Sequence, residues 1–249
     1  CALPICDAVR AHAGNGTANG LWAQVTGGKT KLKGISTGAQ DLDLDTDAYG
    51  LAVGGEAALQ NITLGAAFMG GSGKTENDSV AGKDDFNYYG ISFYAKTQVQ
   101  GIDLEGDVSA AWLKSDLTVG GAADVDTDTT TAVYSLGIQA KKTFNLGVDV
   151  TPFIGMDVYH IKSDGFTTNH GVSIEDANAT IVEFPIGAEV KKALQTSSGF
   201  SVAPSFSLAV VPTVGCKDID SKVRFAGAES TYNFTFADDV KVRSQLGIE

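Results

Sequence analysis

From Leu21 onward the chain alternates. Segment after segment places apolar residues at every second position, with small or polar residues between them, as in strands whose two faces meet different surroundings. The connections between these segments are sorted by length. Gln60-Asn61, Gln100-Gly101 and Asn145-Leu146-Gly147 are tight, and residues 194–199 are short. Between them come long polar stretches, residues 71–84, 115–127, 163–177 and 216–237. A sheet in water has no reason to sort its turns. A β-barrel in an outer membrane does, because its short turns face the periplasm and its long loops face outside. The expected fold is all-β: an antiparallel up-and-down transmembrane β-barrel.

The alternation marks strands at residues 21–33, 49–59, 62–69, 89–99, 102–113, 132–142, 148–159, 181–191, 200–211 and 239–249, ten in all. In 102–113, Ile102, Leu104, Val108, Ala110 and Trp112 share one face, and Asp103, Glu105, Asp107 and Ser109 share the other. In a membrane barrel the first set faces lipid and the second the lumen. The tight turns keep phase: Leu59 falls opposite Ile62, and Lys96 opposite Glu105, so the faces match across both hairpins. Continued through the chain, this phase turns Glu56, Lys96, Asp103, Glu105, Asp107, Lys141, Asp157, Glu183, Glu189, Lys241 and Arg243 inward as candidate pore-lining residues. Tyr49, Tyr89, Trp112 and Tyr134 fall on the outward face near the long-loop ends, where an aromatic girdle at the membrane interface is expected. Pro152, Pro185 and Pro204 lie within strand segments and each removes a ladder donor, so they should mark bulges or strand ends.

Composition narrows the partners. The net charge is −12 with no Lys/Arg cluster, which argues against nucleic acid. No run of about 18 apolar residues is present, so no transmembrane helix is expected; a barrel needs none. The acids Asp41, Asp43 and Asp45, and Asp124, Asp126 and Asp128, read as solvated loop charge. The first trio opens like a calcium loop, but the following Gly and closing Glu are missing. Cys1, Cys6 and Cys216 lack zinc-site spacing. Cys1 and Cys6 are near enough in sequence for a small disulfide. Neither a metal nor a cofactor is expected.

Enzyme readings fail on spacing. Gly73-Lys74-Thr75 suggests a phosphate loop, but Phe68 stands where the motif needs its first Gly. The histidines are His12, His160 and His170. His160 faces outward with Lys162 two residues on, where a barrel phospholipase would carry Ser. Residues 1–19 do not alternate. Ala2, Ile5, Ala8 and Val9 would line one side of a short helix ended by Gly14. This segment reads either as a leader or linker, or as a short helix inside the pore, with the barrel spanning residues 20–249.

These features resemble the translocator β-domain of bacterial autotransporters, the type V secretion family. The closest likeness is Val150-Thr151-Pro152-Phe153-Ile154-Gly155-Met156-Asp157-Val158-Tyr159-His160, followed by Asp164-Gly165-Phe166. Gly20-Leu21-Trp22-Ala23-Gln24 with Gly27-Gly28 resembles the family's first strand, Asp47-Ala48-Tyr49-Gly50-Leu51 its second, and residues 242–249 a later one. The resemblance implies a bacterial outer-membrane, cell-surface anchor that exports an N-terminal passenger. Its partners would be membrane lipid, its own passenger and the barrel-assembly machinery. The family barrel has twelve strands and ends in an aromatic residue, whereas this sequence ends at Gln245-Leu246-Gly247-Ile248-Glu249; a last hairpin is therefore expected beyond it. With residues 1–19 in the lumen, Arg10 is the candidate linker contact to the acidic wall. Asn15 and Asn19 follow the expected helix, so self-cleavage there is not expected. A porin-like channel or structural barrel without a passenger is the alternative.

Overall fold

The structure, a computed structural model, describes residues 20–36, 41–77, 82–119, 125–195, 201–202, 204–215, 218–235 and 240–248. All of its regular elements are strands: β1 (Gly20–Ser36), β2 (Asp41–Leu59), β3 (Ile62–Asn77), β4 (Gly82–Val99), β5 (Ile102–Val119), β6 (Val125–Lys141), β7 (Phe144–Asn145), β8 (Asp149–Ser163), β9 (Phe166–Thr167), β10 (Ser173–Ile174), β11 (Ala177–Glu183), β12 (Ile186–Lys191), β13 (Leu194–Gln195), β14 (Ser201–Val202), β15 (Pro204–Gly215), β16 (Asp218–Phe225), β17 (Ala228–Thr235) and β18 (Val240–Ile248).

One antiparallel sheet forms the barrel wall. β1 to β6 follow in chain order, then β8, the β11–β12 pair, β15 and β18. β11 and β12 act as a single strand, because Glu183 pairs with Asp157 and Ile186 with Ile154 in the same register along β8. The wall thus has the ten strands expected from the alternation. Among the described residues no pairing joins β1 to β18. The expected helix in residues 1–19 lies outside the described residues.

Two expectations change. The stretches 71–84 and 115–127 are largely strand, not loop: β2 runs for 19 residues and β4 and β5 for 18 each, although about 9–11 suffice to cross a membrane. The extra length stays paired in register with the neighbouring strands. Above the tyrosine level the outward face becomes a charged cross-strand row, Lys29, Asp47, Lys74, Asp85, Asp116 and Asp128, with Lys29 bridged to Asp47 at 3.3 Å. On the inward face the rings of Phe86 and Tyr88 cover the glycine-rich part of β3. These hairpins rise roughly 20 Å past the girdle level, given a strand rise near 3.3 Å and the tilt of a barrel.

The outer connections 163–177 and 216–237 also gain structure. β9, β10, β16 and β17 make a separate four-stranded sheet that touches β6, β11 and β1. Its β16–β17 hairpin turns at Ala226-Gly227, both at positive φ (50° and 85°), like Gln100-Gly101 at 53° and 75°, as two-residue hairpin turns demand.

The prolines act differently from one another. Pro204 opens β15 and Pro185 separates β11 from β12, as strand-end proline should. Pro152 sits inside β8 without a register shift. Its carbonyl stays in the ladder, accepting from the Lys142 amide at 3.2 Å.

Candidate functional site

Burial on these strands is inverted relative to a water-soluble sheet. On β5, Val108 is 52% exposed while Asp107 beside it is 4% exposed. Phe68, Phe93, Leu136, Ile154 and Leu208 are exposed in the same way, and Glu56, Glu105, Asp157 and Glu183 are buried. A carboxylate away from water is costly unless it is paired, so the inward face has to supply its own counter-charges.

It does so along one row of the sheet. Cross-strand pairing links Glu56, Gly65, Tyr94, Asp107, Gly137, Asp157, Glu183 and Thr213 in succession. Lys96 bridges Glu56 at 2.7 Å, Lys141 bridges Glu105 at 3.0 Å, and Glu183 is held by Lys241 and by Arg243, the latter at 3.1 Å. Asp103 accepts a hydrogen bond from the Gln98 amide at 2.8 Å. Glu189 is half-buried on β12, across from Thr151 and Ser207. Every inward residue singled out from the alternation therefore lies on the buried or half-buried face. Lys96 does stand opposite Glu105 in register, yet its ammonium also reaches the other neighbouring pair of strands to meet Glu56. Arg10 lies outside the described residues, as do Cys1, Cys6, His12, Asn15, Asn19 and Cys216.

Beyond the acid row, toward the long loops, the inward face turns small and apolar. Ser92, Ser109 and Ser135 sit side by side and are buried, with Ser109 donating to Ser92 at 2.8 Å. Tyr159 is level with them, opposite Ser135, and Ala52, Met69, Val133, Tyr88 and Phe86 continue the same buried cluster above. The lumen is thus zoned, charged toward the tight turns and apolar toward the mouth.

Tyr94 and Trp22 were not singled out from the sequence. Trp22 Nε1 donates to the Tyr94 hydroxyl at 2.9 Å, and that hydroxyl donates to Glu56 at 2.9 Å. Both rings lie flat against the wall because the facing residues are Gly54 and Gly65; a methyl group at Gly65 would overlap the Tyr94 ring. An inward aromatic beside an inward glycine on the next strand is a signal that pairing makes readable.

On the outward face, Tyr49, Tyr89 and Tyr134 are exposed and Trp112 is half-buried, stacked on Tyr89 with ring centroids 5.5 Å apart. On the inward face above the girdle level, next to Phe86, Asp84 accepts from the Ser115 hydroxyl at 3.2 Å. Burial pushes its carboxyl above the ordinary range, with Asp116 and Asp85 adding to the shift and the Ser115 bond opposing it. The small outer sheet behaves oppositely. Arg224 binds Glu229 at 2.8 Å, and this hydrogen bond and charge hold the Glu229 carboxyl below its usual range. The Asp164-Gly165-Phe166 stretch enters this sheet through a tight corner, in which the Gly165 amide donates to Asp176 at 2.7 Å. No group of His, Cys, Asp and Glu among the described residues is arranged to hold a metal.

The Autotransporter beta-domain family model matches residues 21–249. Comparison with curated protein sequences finds no match. Among solved structures, the translocator domain of the autotransporter NalP from Neisseria meningitidis is similar at a TM-score of 0.68 and 13% identity, covering 97% of this chain and 91% of that one. The transport unit of the autotransporter AIDA-I from Escherichia coli is similar at 0.61 and 13%, covering 94% and 80%. The beta domain of the Bordetella autotransporter BrkA is similar at 0.57 and 14%, covering 92% and 97%. At these identities the structural likeness speaks for the barrel, while the family model spans nearly the whole sequence. This chain belongs to the autotransporter beta-domain family, the outer-membrane translocator barrels that carry a passenger domain.

Proposed function

We propose that this barrel anchors and exports an N-terminal passenger, with residues 1–19 as the linker inside the pore and residues 20–249 as the barrel. The carrying observation is the inversion of faces on single strands, Val108 outward beside Asp107 inward. It supports a wall with lipid on one side and a polar conduit on the other. Tyr49, Tyr89, Trp112 and Tyr134 form the outer girdle, and the charged row above them stands in water. The eleven inward polar residues named above make the pore wall. Asp103 and Asp107 extend an acidic stripe along this wall beside the Lys96 and Glu105 level, and Arg10 is the candidate linker contact to it. Membrane lipid, the passenger and the barrel-assembly machinery are the partners, and the barrel works as a transport element, not an enzyme.

Single-channel conductance in planar bilayers tests the linker. Deleting residues 1–19 should raise conductance clearly and leave a cation-selective pore. Unchanged conductance would remove the linker from the lumen and leave an interior filled by its own side chains.

A further inference from the structure

Most lysines and arginines whose side chains are described are held in ion pairs, in the lumen, on the raised hairpins or in the small outer sheet. Lys114, Lys142, Lys162 and Lys192 make no ion pair among the described residues. All of them continue the outward rows of their strands and are exposed. Lys142 and Lys192 stand at the tight-turn end, and Lys142 lies over the Phe144 ring at 5.5 Å. Lys114 and Lys162 stand at the girdle, two residues past Trp112 and His160. Between these two levels the outward positions of the described wall strands carry no charged group. These lysines therefore mark the two depths at which a membrane presents headgroup phosphate. There a lysine stem lies along apolar surface while its ammonium stays in the polar layer.

The outer two are neighbours. Lys114 pairs with Thr130 and Lys162 with Ala132, which are adjacent outward positions of β6. Two strand spacings and one step of two residues separate their Cα atoms, about 12 Å in all, a gap that two lysine side chains close from either side. The floor between them is small, Ala132 with Thr130 beside it. Aromatic rings rim the side toward the hydrocarbon. Trp112 is opposite Ala132 and stacked on Tyr89, and Tyr134 is opposite His160, whose Nδ1 lies 3.0 Å from the Thr180 hydroxyl. On the side away from the membrane stand Asp116 and Asp128, opposite each other, and Asp164, two residues past Lys162. An anion is drawn to the level of the two ammonium groups and repelled just above it. In a chain of net charge −12, two adjacent exposed lysines without a carboxylate of their own are complementary to an anion from outside the protein.

We propose that Lys114 and Lys162 together bind the phosphate of an anionic lipid headgroup in the outer leaflet, above Ala132 and Thr130, with Trp112 and Tyr134 against the part of the lipid below it. Hydrogen bonds between ammonium and phosphate are charge-assisted and stronger than neutral ones. A lipid held in this way ties β5, β6 and β8 to the outer leaflet at the foot of the raised hairpins. The proposal rests on the reading that the outward face meets lipid, and on neither the linker nor the passenger.

Acetylation of lysines in the full chain, folded in bilayer discs and mapped by mass spectrometry, reads the site residue by residue. Rates are taken relative to Lys222, which stands on the small outer sheet. Adding phosphatidic acid to phosphatidylcholine discs should slow Lys114 and Lys162 at least about tenfold, the factor that one hydrogen bond between charged groups supplies. Lys142 and Lys192, each alone on the same anionic surface, should slow clearly less. In Lys162→Gln the slowing at Lys114 should fall to the level seen at Lys142, because the site needs both cations. If Lys114 is slowed equally without Lys162, general attraction to the bilayer accounts for it and the proposal is wrong. Equal slowing in phosphatidylcholine discs given only inorganic phosphate would overturn the lipid as occupant, and no slowing in either would overturn the site. A chain that never enters the discs in its heat-modifiable folded form sinks the lipid-facing reading and this proposal with it. An embedded barrel whose Lys114 and Lys162 stay unprotected sinks this proposal alone.

Discussion

The two halves of the wall solve the same problem differently. β1 to β6 are long, unbroken hairpin strands that stand well above the girdle. From β8 onward the wall is shorter and broken at Pro185, and its long outer connections fold into a small sheet of their own. In the first half neighbours in space are neighbours in sequence, so tight turns and many continuous pairs specify the register repeatedly. In the second half long excursions separate β8 from β11 and β15 from β18, and side chains distant in sequence meet across the wall. The Glu183 cluster is the clearest case.

The largest effect should come from the buried charges. Lys141→Ala removes the ion pair to Glu105, whose side chain is 2% exposed, and should cost roughly 3–5 kcal/mol of unfolding free energy in lipid. The β5–β6 pairing should nonetheless stay in place, since it runs unbroken from Asp103↔Lys141 to Val119↔Val125. A register change there, seen by cysteine cross-linking, would erase the contrast between the halves.

Lipid should treat both halves alike. Val108→Arg on β5 and Val210→Arg on β15, exposed at 52% and 47%, should each cost about 2–4 kcal/mol near the midplane in denaturant titrations of the lipid-embedded barrel. A large difference between them would mean that one half does not face hydrocarbon.

Packing inside the first half is tight at the flat-lying rings. Gly65→Ala should cost about 1–3 kcal/mol by driving Tyr94 off the wall, and should cost little once Tyr94→Ala has removed the ring. Additive effects would show that the ring and the glycine do not share the space.

The smallest effect is a response to pH that differs in sign between the outer parts of the two halves. The raised Asp84 carboxyl favours its neutral form in the folded hairpin, so stability there is greatest below the ordinary Asp value of 3.8 and is lost as pH rises through the raised one. The lowered Glu229 carboxyl favours its charged form, so the small sheet is most stable above 4.5 and weakens as pH falls through the lowered value. Amide exchange on acidification should therefore slow near Asp84 and quicken in β16–β17. Parallel changes would break this distinction.

The alternation made the ten wall strands readable, along with their faces and the outward placement of Tyr49, Tyr89, Trp112 and Tyr134. Other features were hidden for definite reasons. Residues 71–84 and 115–127 read as polar loops because, above the membrane, both faces of a strand carry polar groups and the lipid signal is absent. The β16–β17 hairpin was obscured by Ala226, an unusual residue at positive φ. Lys96 was matched with Glu105 across its hairpin; its bond to Glu56 depends on β3 lying between β2 and β4, and on a side chain long enough to cross it.

Side-chain direction along a strand, and the turn that closes a hairpin, are local properties of the backbone, so the sequence by itself determined the faces, the near-neighbour pairings and the sorting of the turns. Which buried charges meet, how far the hairpins stand above the lipid, and what binds the last strand to its place were decided only in the tertiary structure. Each depends on groups that are far apart in the chain, brought within a few ångströms by closing the sheet and excluding water.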